Sequence, residues 1–179
     1  MRRIKLHDRE FELAIDAATI DREIARVAGE INRDLAEERP LFLSVLNGAF
    51  MFTADLLKLI TVPGAEVSFV KVASYVGTSS TGRVRELIGL DEDIAGRTVV
   101  ITEDMVDTGR SLAHLKAMLE ERRAGRVLTA AMFHKPVALE CDVTVDYACI
   151  ALENDFVVGR GLDYDGLGRN LPDLYRVAE

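Results

Sequence analysis

Apolar positions in this chain alternate between two spacings. Ile20, Ile24, Val27, Ile31 and Leu35 recur every three or four residues with acids and arginines between them. That spacing predicts an amphipathic helix ending near Pro40. Leu41 to Leu46 is instead a short continuous apolar run, which reads as a strand buried on both faces. Asn47-Gly48 reads as a turn, and Ala49 to Ile60 returns to a helical pattern. Val67 to Ala73 predicts a second strand, Thr98 to Thr102 a third, and Ser111 to Arg123 a helix after it. Val127 to Phe133 and Val145 to Leu152 predict further strands. The stretch from Ser74 to Leu87 is polar and glycine-bearing, without a packing pattern. Four glycines between Gly159 and Gly168 make the tail rich in loops and mark it as part of a site.

Strands alternating with helices predict an α/β fold with a parallel sheet and helices on both faces. In such sheets ligands bind beyond the carboxyl ends of the strands. Asn47-Gly48, Ser74-Tyr75, Glu103-Asp104, Lys135 and Asn154 all follow a predicted strand, so they are expected to converge on one edge.

The stretch from Val99 to Leu112 carries the most chemistry. A β-branched run stops at Glu103 and Asp104, Asp107 follows, and Asp107-Thr108-Gly109-Arg110-Ser111 leads into the helical pattern. That order reads as strand, anion-binding turn and helix. Its backbone N–H groups and hydroxyls can hold a phosphate. Two carboxylates beside it suit the vicinal hydroxyls of a ribose, or a Mg²⁺ bound to them. Being adjacent, Glu103 and Asp104 would point to opposite faces of a strand, but a curl at the strand end can bring both to one ligand. A plain loop, with Asp107 or Ser111 capping the next helix, would not explain why three carboxylates crowd one turn. The lysine-bearing glycine loop of nucleotide triphosphatases is absent.

Composition narrows the class. With 179 residues, 49 % hydrophobic and 29 % charged, the chain is expected to form one globular domain over residues 1–179. No apolar run approaches the roughly 18 residues that span a bilayer, so no membrane association is expected. The basic N-terminus has no apolar core behind it, which argues against a signal peptide. Cys141 and Cys149 match neither a disulfide framework nor a zinc spacing. They read as buried thiols of a reducing compartment, and a cytoplasmic location is expected. A net charge of −8 argues against broad nucleic-acid binding and requires phosphates to be held locally. His7, His114 and His134 show no ligand spacing and are assigned no role.

The run from Val99 to Ser111 resembles the phosphoribosyl-pyrophosphate-binding motif of type I phosphoribosyltransferases: apolar strand, two acids, two apolar residues, Asp-Thr-Gly and a hydroxyl residue. Further stretches resemble the hypoxanthine(-guanine) phosphoribosyltransferase family. Val45 to Phe50 is similar to its first strand-end loop, and Ser74-Tyr75 with Gly77 to Gly82 to its mobile catalytic loop. Lys135-Pro136 is similar to its purine-contacting lysine, and Phe156 to Gly159 with Leu162-Asp163-Tyr164 and Arg169 to its tail. The resemblance spans about residues 40 to 175. It implies a central, mostly parallel sheet flanked by helices, with a small hood built from the terminal segments.

The resemblance also implies roles. Glu103, Asp104, Asp107, Thr108, Gly109, Arg110 and Ser111 would bind the phosphoribosyl group, and Asn47, Gly48 and Arg169 the pyrophosphate. Lys135, Phe156, Val157 and Asp163 would bind a 6-oxopurine, with Lys135 donating to O6 and Phe156 stacking on the ring. Glu103, Asp104 and Asp163 would serve Mg²⁺, and Asp107 would move the purine N7 proton. Ser74 and Tyr75 would belong to a lid that excludes water. The implied activity is transfer of 5-phosphoribosyl from phosphoribosyl pyrophosphate to N9 of hypoxanthine or guanine, by a homodimer or homotetramer. The helix from Ala49 to Ile60 is a candidate interface by analogy, and plain core packing serves equally well. A xanthine-preferring enzyme and an RNA-binding regulator of the same fold are the alternatives; Lys135 disfavours adenine.

Three positions depart from the family pattern. Asn47 stands where many members carry Lys or Arg, which removes a charge from the pyrophosphate pocket. Its backbone amides remain available, in the non-proline cis peptide that the resemblance implies for this loop. Arg160 replaces a common aromatic and is expected to restore positive charge nearby. Asn154 replaces a frequent Asp, which weakens the inference about guanine.

Overall fold

The structure, a computed structural model, describes residues 2–73 and 85–178, with the backbone alone for 72, 73 and 85–88. Ser74 and Tyr75, with the Gly77 to Gly82 stretch, lie outside the described residues.

The chain opens on a hairpin, β1 (Arg3–Leu6) with β2 (Arg9–Ile15). Helix α1 (Ala17–Asp34) follows, capped by the Asp16 carboxylate, which accepts the Thr19 N–H at 2.8 Å. Its buried face carries Ile20, Ile24, Val27 and Ile31 of the helical spacing, together with Ala28. Then come β3 (Leu41–Val45), α2 (Phe50–Leu57), β4 (Glu66–Ala73), β5 (Arg85–Ile88) and β6 (Thr98–Val106). Helix α3 (Arg110–Glu121), β7 (Arg126–His134), β8 (Tyr147–Ala151), β9 (Val157–Val158) and β10 (Leu174–Val177) complete the order.

The main sheet has six strands in the order β5-β4-β3-β6-β7-β8, and only β5 pairs antiparallel. Successive side chains of a strand face opposite ways, and β3 shows it. Leu41 and Leu43 pack with Val99, Ile101 and the α3 residues Leu112, Leu115 and Leu119. Phe42 packs on the other face with Ile24 and Ile31 of α1 and Phe52 of α2. Helices therefore cover both faces, which is why all of β3 is buried. A buried hydroxyl chain, Ser44 to Thr53 at 2.8 Å and Thr53 to Thr102 at 2.7 Å, pins α2 to β3 and β6 just below Glu103.

The second sheet is the expected hood. Its order is β1-β2-β10-β9, all antiparallel, so it joins the first and last segments around Phe11, Val158 and Tyr175.

Most boundaries lie within two residues of the sequence pattern, and those of β6, β5 and α2 differ by more. β6 runs past Thr102 to Val106, because main-chain pairing with β7 continues to Val106 opposite His134 whatever the side chains are. The end of the polar stretch, Arg85–Ile88, pairs with β4 as an edge strand. The helix expected over Ala49 to Ile60 is shorter, Phe50–Leu57, and gives way to a turn. No helix among the described residues is long and apolar enough to cross a membrane.

Candidate active site

β3, β6 and β7 run parallel, so the segments after them meet at one sheet edge. The first is the loop after β3, with a cis peptide between Leu46 and Asn47. Gly48 there packs directly on Asp104: a Cβ at Gly48 would lie 1.6 Å from Asp104 Oδ2. Only glycine fits this approach.

The two acids of β6 sit differently. Asp104 Oδ1 accepts the Met105 N–H at 2.9 Å. Burial pushes the Asp104 carboxyl up to about 6, and Asp163 adds to the rise; the backbone N–H groups and Arg169 temper it. Glu103 is buried more deeply, and burial followed by the Asp104 charge holds its carboxyl well above the usual range. Glu103 lines a pocket of about 110 Å³ with Met105, Asp107, Thr108, Gly109 and Ser111. The two carboxylates thus serve neighbouring spaces, one under the loop and one toward Gly48 and the tail.

Gly109, at φ 79°, occupies the N-cap of α3 and no side chain caps the helix. Asp107 and Ser111 are therefore not the caps a plain loop would make of them. The first-turn N–H groups of a helix lack intrahelical partners and favour an anion. The Arg110 guanidinium turns to Glu140, which leaves its backbone to the loop. Lys135, directly after β7, is buried, and its Nζ lies 3.4 Å from Oδ2 of half-exposed Asp107.

The tail supplies the third wall. Arg169 Nη2 pairs with Asp163 Oδ1 at 2.6 Å, and Nη1 donates to the Gly161 carbonyl at 2.7 Å. Asp163 Oδ2 accepts the Gly166 N–H at 2.8 Å. Gly48, Asp104, Asp163 and Arg169 thus form one group. Phe156 is 42 % exposed, unusual for a phenylalanine, and its ring meets the edge of Tyr164 at 5.7 Å. Val157, the next residue, is buried in β9 and packs in the core cluster of α1 and α2. Phe11 packs on both rings, and the Arg9 guanidinium lies 5.9 Å from Phe156 and 5.3 Å from Tyr164. Sequence reasoning did not place Arg9 or Phe11 here; the apolar-polar alternation of β2 was the available signal.

Arg160 does not supply the positive charge expected of it beside Asn47. Its guanidinium is buried and bonded to Asp21 and Asp55, acids that lie far away in sequence.

Mg²⁺ fits this donor set as a substrate-borne ion. Among the described residues no three acidic, histidine or cysteine side chains group into a cage of their own. Mg²⁺ is commonly held by one or two carboxylates and substrate phosphates, and Asp104, raised to about 6 by burial, is a carboxylate short of positive charge.

A strand-end anion loop facing buried carboxylates and an arginine defines a class, and the chain's matches agree with it. A model of the phosphoribosyl transferase domain matches residues 15–165. The chain is 40 % identical over 154 residues to the hypoxanthine-guanine phosphoribosyltransferase of Streptococcus pyogenes, covering 86 % of this chain and 85 % of that protein. To the Streptococcus agalactiae protein of the same name it is 42 % identical over 147 residues, covering 82 % and 81 %. The solved hypoxanthine phosphoribosyl transferase of Trypanosoma cruzi superposes with a TM-score of 0.88 at 32 % identity, covering 98 % of this chain and 95 % of that one. The chain belongs to the phosphoribosyltransferase family, in its hypoxanthine-guanine branch.

Proposed function

We propose that this chain salvages purines, carrying 5-phosphoribosyl from phosphoribosyl pyrophosphate to N9 of hypoxanthine or guanine and releasing pyrophosphate with IMP or GMP. The observation that carries this reading is the pair of buried Lys135 and half-exposed Asp107 at the mouth of the 107–111 loop, with Nζ and Oδ2 3.4 Å apart. It sets a donor for the purine O6 beside a carboxylate that can accept the N7 proton.

The backbone N–H groups of Thr108 to Ser111 hold the 5-phosphate of the donor at the start of α3. Glu103 and Asp104 take the ribose hydroxyls. The amides of Asn47 and Gly48 and the Arg169 guanidinium hold the pyrophosphate. Phe156 stacks on the purine, with Val157 supporting it, and fixes N9 in line with the breaking bond. Asp107 removes the N7 proton as N9 attacks C1 through an oxocarbenium-like transition state. Asp104 and Asp163, with the donor, would hold Mg²⁺, which would supply positive charge against the leaving pyrophosphate. The enzyme acts as a homodimer or homotetramer in the cytoplasm.

Incubation with phosphoribosyl pyrophosphate, Mg²⁺ and each purine in turn tests the reading by nucleotide formation. IMP or GMP is expected. Product with xanthine or adenine alone, or none with hypoxanthine or guanine, overturns it.

A further inference from the structure

The tail turn Gly159-Arg160-Gly161 holds three successive residues at positive φ, 109°, 49° and 104°. Glycine takes such backbone freely, but an arginine must be held there by its contacts. Arg160 is held by three. Nη2 donates to Asp21 on α1 and, at 2.9 Å, to Asp55 on α2, and Nη1 donates to the Pro172 carbonyl at 3.2 Å. The residue is 7 % exposed and its Nε is buried without a partner. Two carboxylates on one guanidinium leave no spare positive charge, so its role is mechanical.

The turn itself touches the pyrophosphate pocket. A Cβ on Gly161 would lie 2.1 Å from the Gly48 carbonyl oxygen. The Gly161 N–H donates to the Arg169 carbonyl at 2.9 Å, and the Arg169 guanidinium donates back to the Gly161 carbonyl at 2.7 Å. Gly48, Gly161 and Arg169 are therefore one packed unit. On its far side Arg160 fastens that unit to α1 and to α2, which begins at Phe50 just beyond Gly48.

We infer that Arg160 is a positioning residue: through Gly161 it sets the Arg169 guanidinium against the Gly48 backbone, so that a pocket lacking a cation at Asn47 still binds pyrophosphate. This rests on the reading of Asn47, Gly48 and Arg169 as pyrophosphate-binding. Arg160→Met keeps the apolar stem and removes the ion pairs, and Asp55→Asn weakens one of them.

Arg160→Met is expected to raise both the KM for phosphoribosyl pyrophosphate and the pyrophosphate dissociation constant by about tenfold, near the upper net worth of one hydrogen bond. The purine KM and kcat are expected to stay within about twofold, the pattern of lost ground-state binding. Asp55→Asn should move the same two constants in the same direction by less. In both variants the Gly161 amide should exchange hydrogen faster while the amides of β3 do not. Parallel loss of kcat and both KM values, an unchanged pyrophosphate constant, or unchanged Gly161 exchange each overturns the inference. If Arg160→Met fails to fold, Asp55→Asn decides by the same readings. A wild-type chain that transfers no phosphoribosyl group refutes the proposed function, and the exchange comparison still decides whether Arg160 holds the turn.

Discussion

Replacing Asp104 with asparagine should stabilise the free protein and remove its affinity for the donor. Burial lifts this carboxyl from 3.8 to about 6. Each unit corresponds to about 1.4 kcal/mol, so the charged form loses about 3 kcal/mol on folding. The sign follows from proton counts. Between pH 3.8 and about 6 the folded chain holds more protons than the unfolded one. Stability is therefore present at acid pH, falls as pH rises through that window, and is flat above it. Asparagine is isosteric, keeps an oxygen to accept the Met105 N–H, and carries no charge to desolvate. It also lowers the field on Glu103, whose carboxyl the Asp104 charge pushes up.

Urea unfolding of both proteins at pH 8 and at pH 4, without divalent cations, measures the difference. The variant is expected to be more stable by about 2–3 kcal/mol at pH 8 and by less than about 1 kcal/mol at pH 4. Phosphoribosyl pyrophosphate with Mg²⁺ should raise the Tm of the wild type and leave that of the variant unmoved. A variant no more stable at pH 8, or a gap that does not shrink in acid, refutes the view that burial of the Asp104 charge outweighs the groups that offset it.

Asp107→Asn should lower kcat by about 10²–10⁴-fold in steady-state assays while donor binding survives, and turnover near wild type would remove Asp107 from the proton transfer. In Gly48→Ala the new Cβ would lie 1.6 Å from Asp104 Oδ2, so the carboxylate must move; calorimetry should show donor affinity falling with the fold retained, and unchanged affinity would mean that this contact does not shape the pocket. Phe156→Ala removes a ring that is 42 % exposed but packs on Phe11 and Tyr164, so Tm should fall modestly with the fold retained while the purine KM rises by about tenfold, as expected for a lost stacking surface; an unchanged purine KM would take Phe156 out of the base site.

What was legible in the sequence followed local periodicity. Ile20 to Ile31 give the face of α1, the apolar run at Leu41 gives β3, and the Asp107 to Ser111 turn stands between β6 and α3 as its order implies. The hood strands were not legible from pattern. β1 has no buried residue and β9 is two residues long; the sheet exists because β2 pairs with β10 from the other end of the chain, and β1 and β9 add to its two edges. The length of β6 was hidden for a similar reason: its acids mark a change in side-chain surroundings, while its ladder with β7 continues underneath.

Arg160 shows where local reading fails for charge. As a sequence position it is a cation beside glycines in a tail expected to bind anions, and so a reasonable ligand. Whether a cation is free to meet a ligand depends on which carboxylates the fold brings to it, and Asp21 and Asp55 come from two helices. The reverse holds for Asp104. Its place at the end of the apolar run marks it as a carboxylate for a ribose or a metal, but how far its charge goes unmet is set by the fold, where a glycine contact and burial leave it in need of a cation. The two cases share a cause. Burial raises the weight of each charge–charge contact, so long-range packing decides which charges are already satisfied and which are left for a substrate. Under the proposed function the acidity of the site is compatible with a polyanionic donor: the carboxylates would face the ribose and its metal, while backbone amides and Arg169 would face the phosphates.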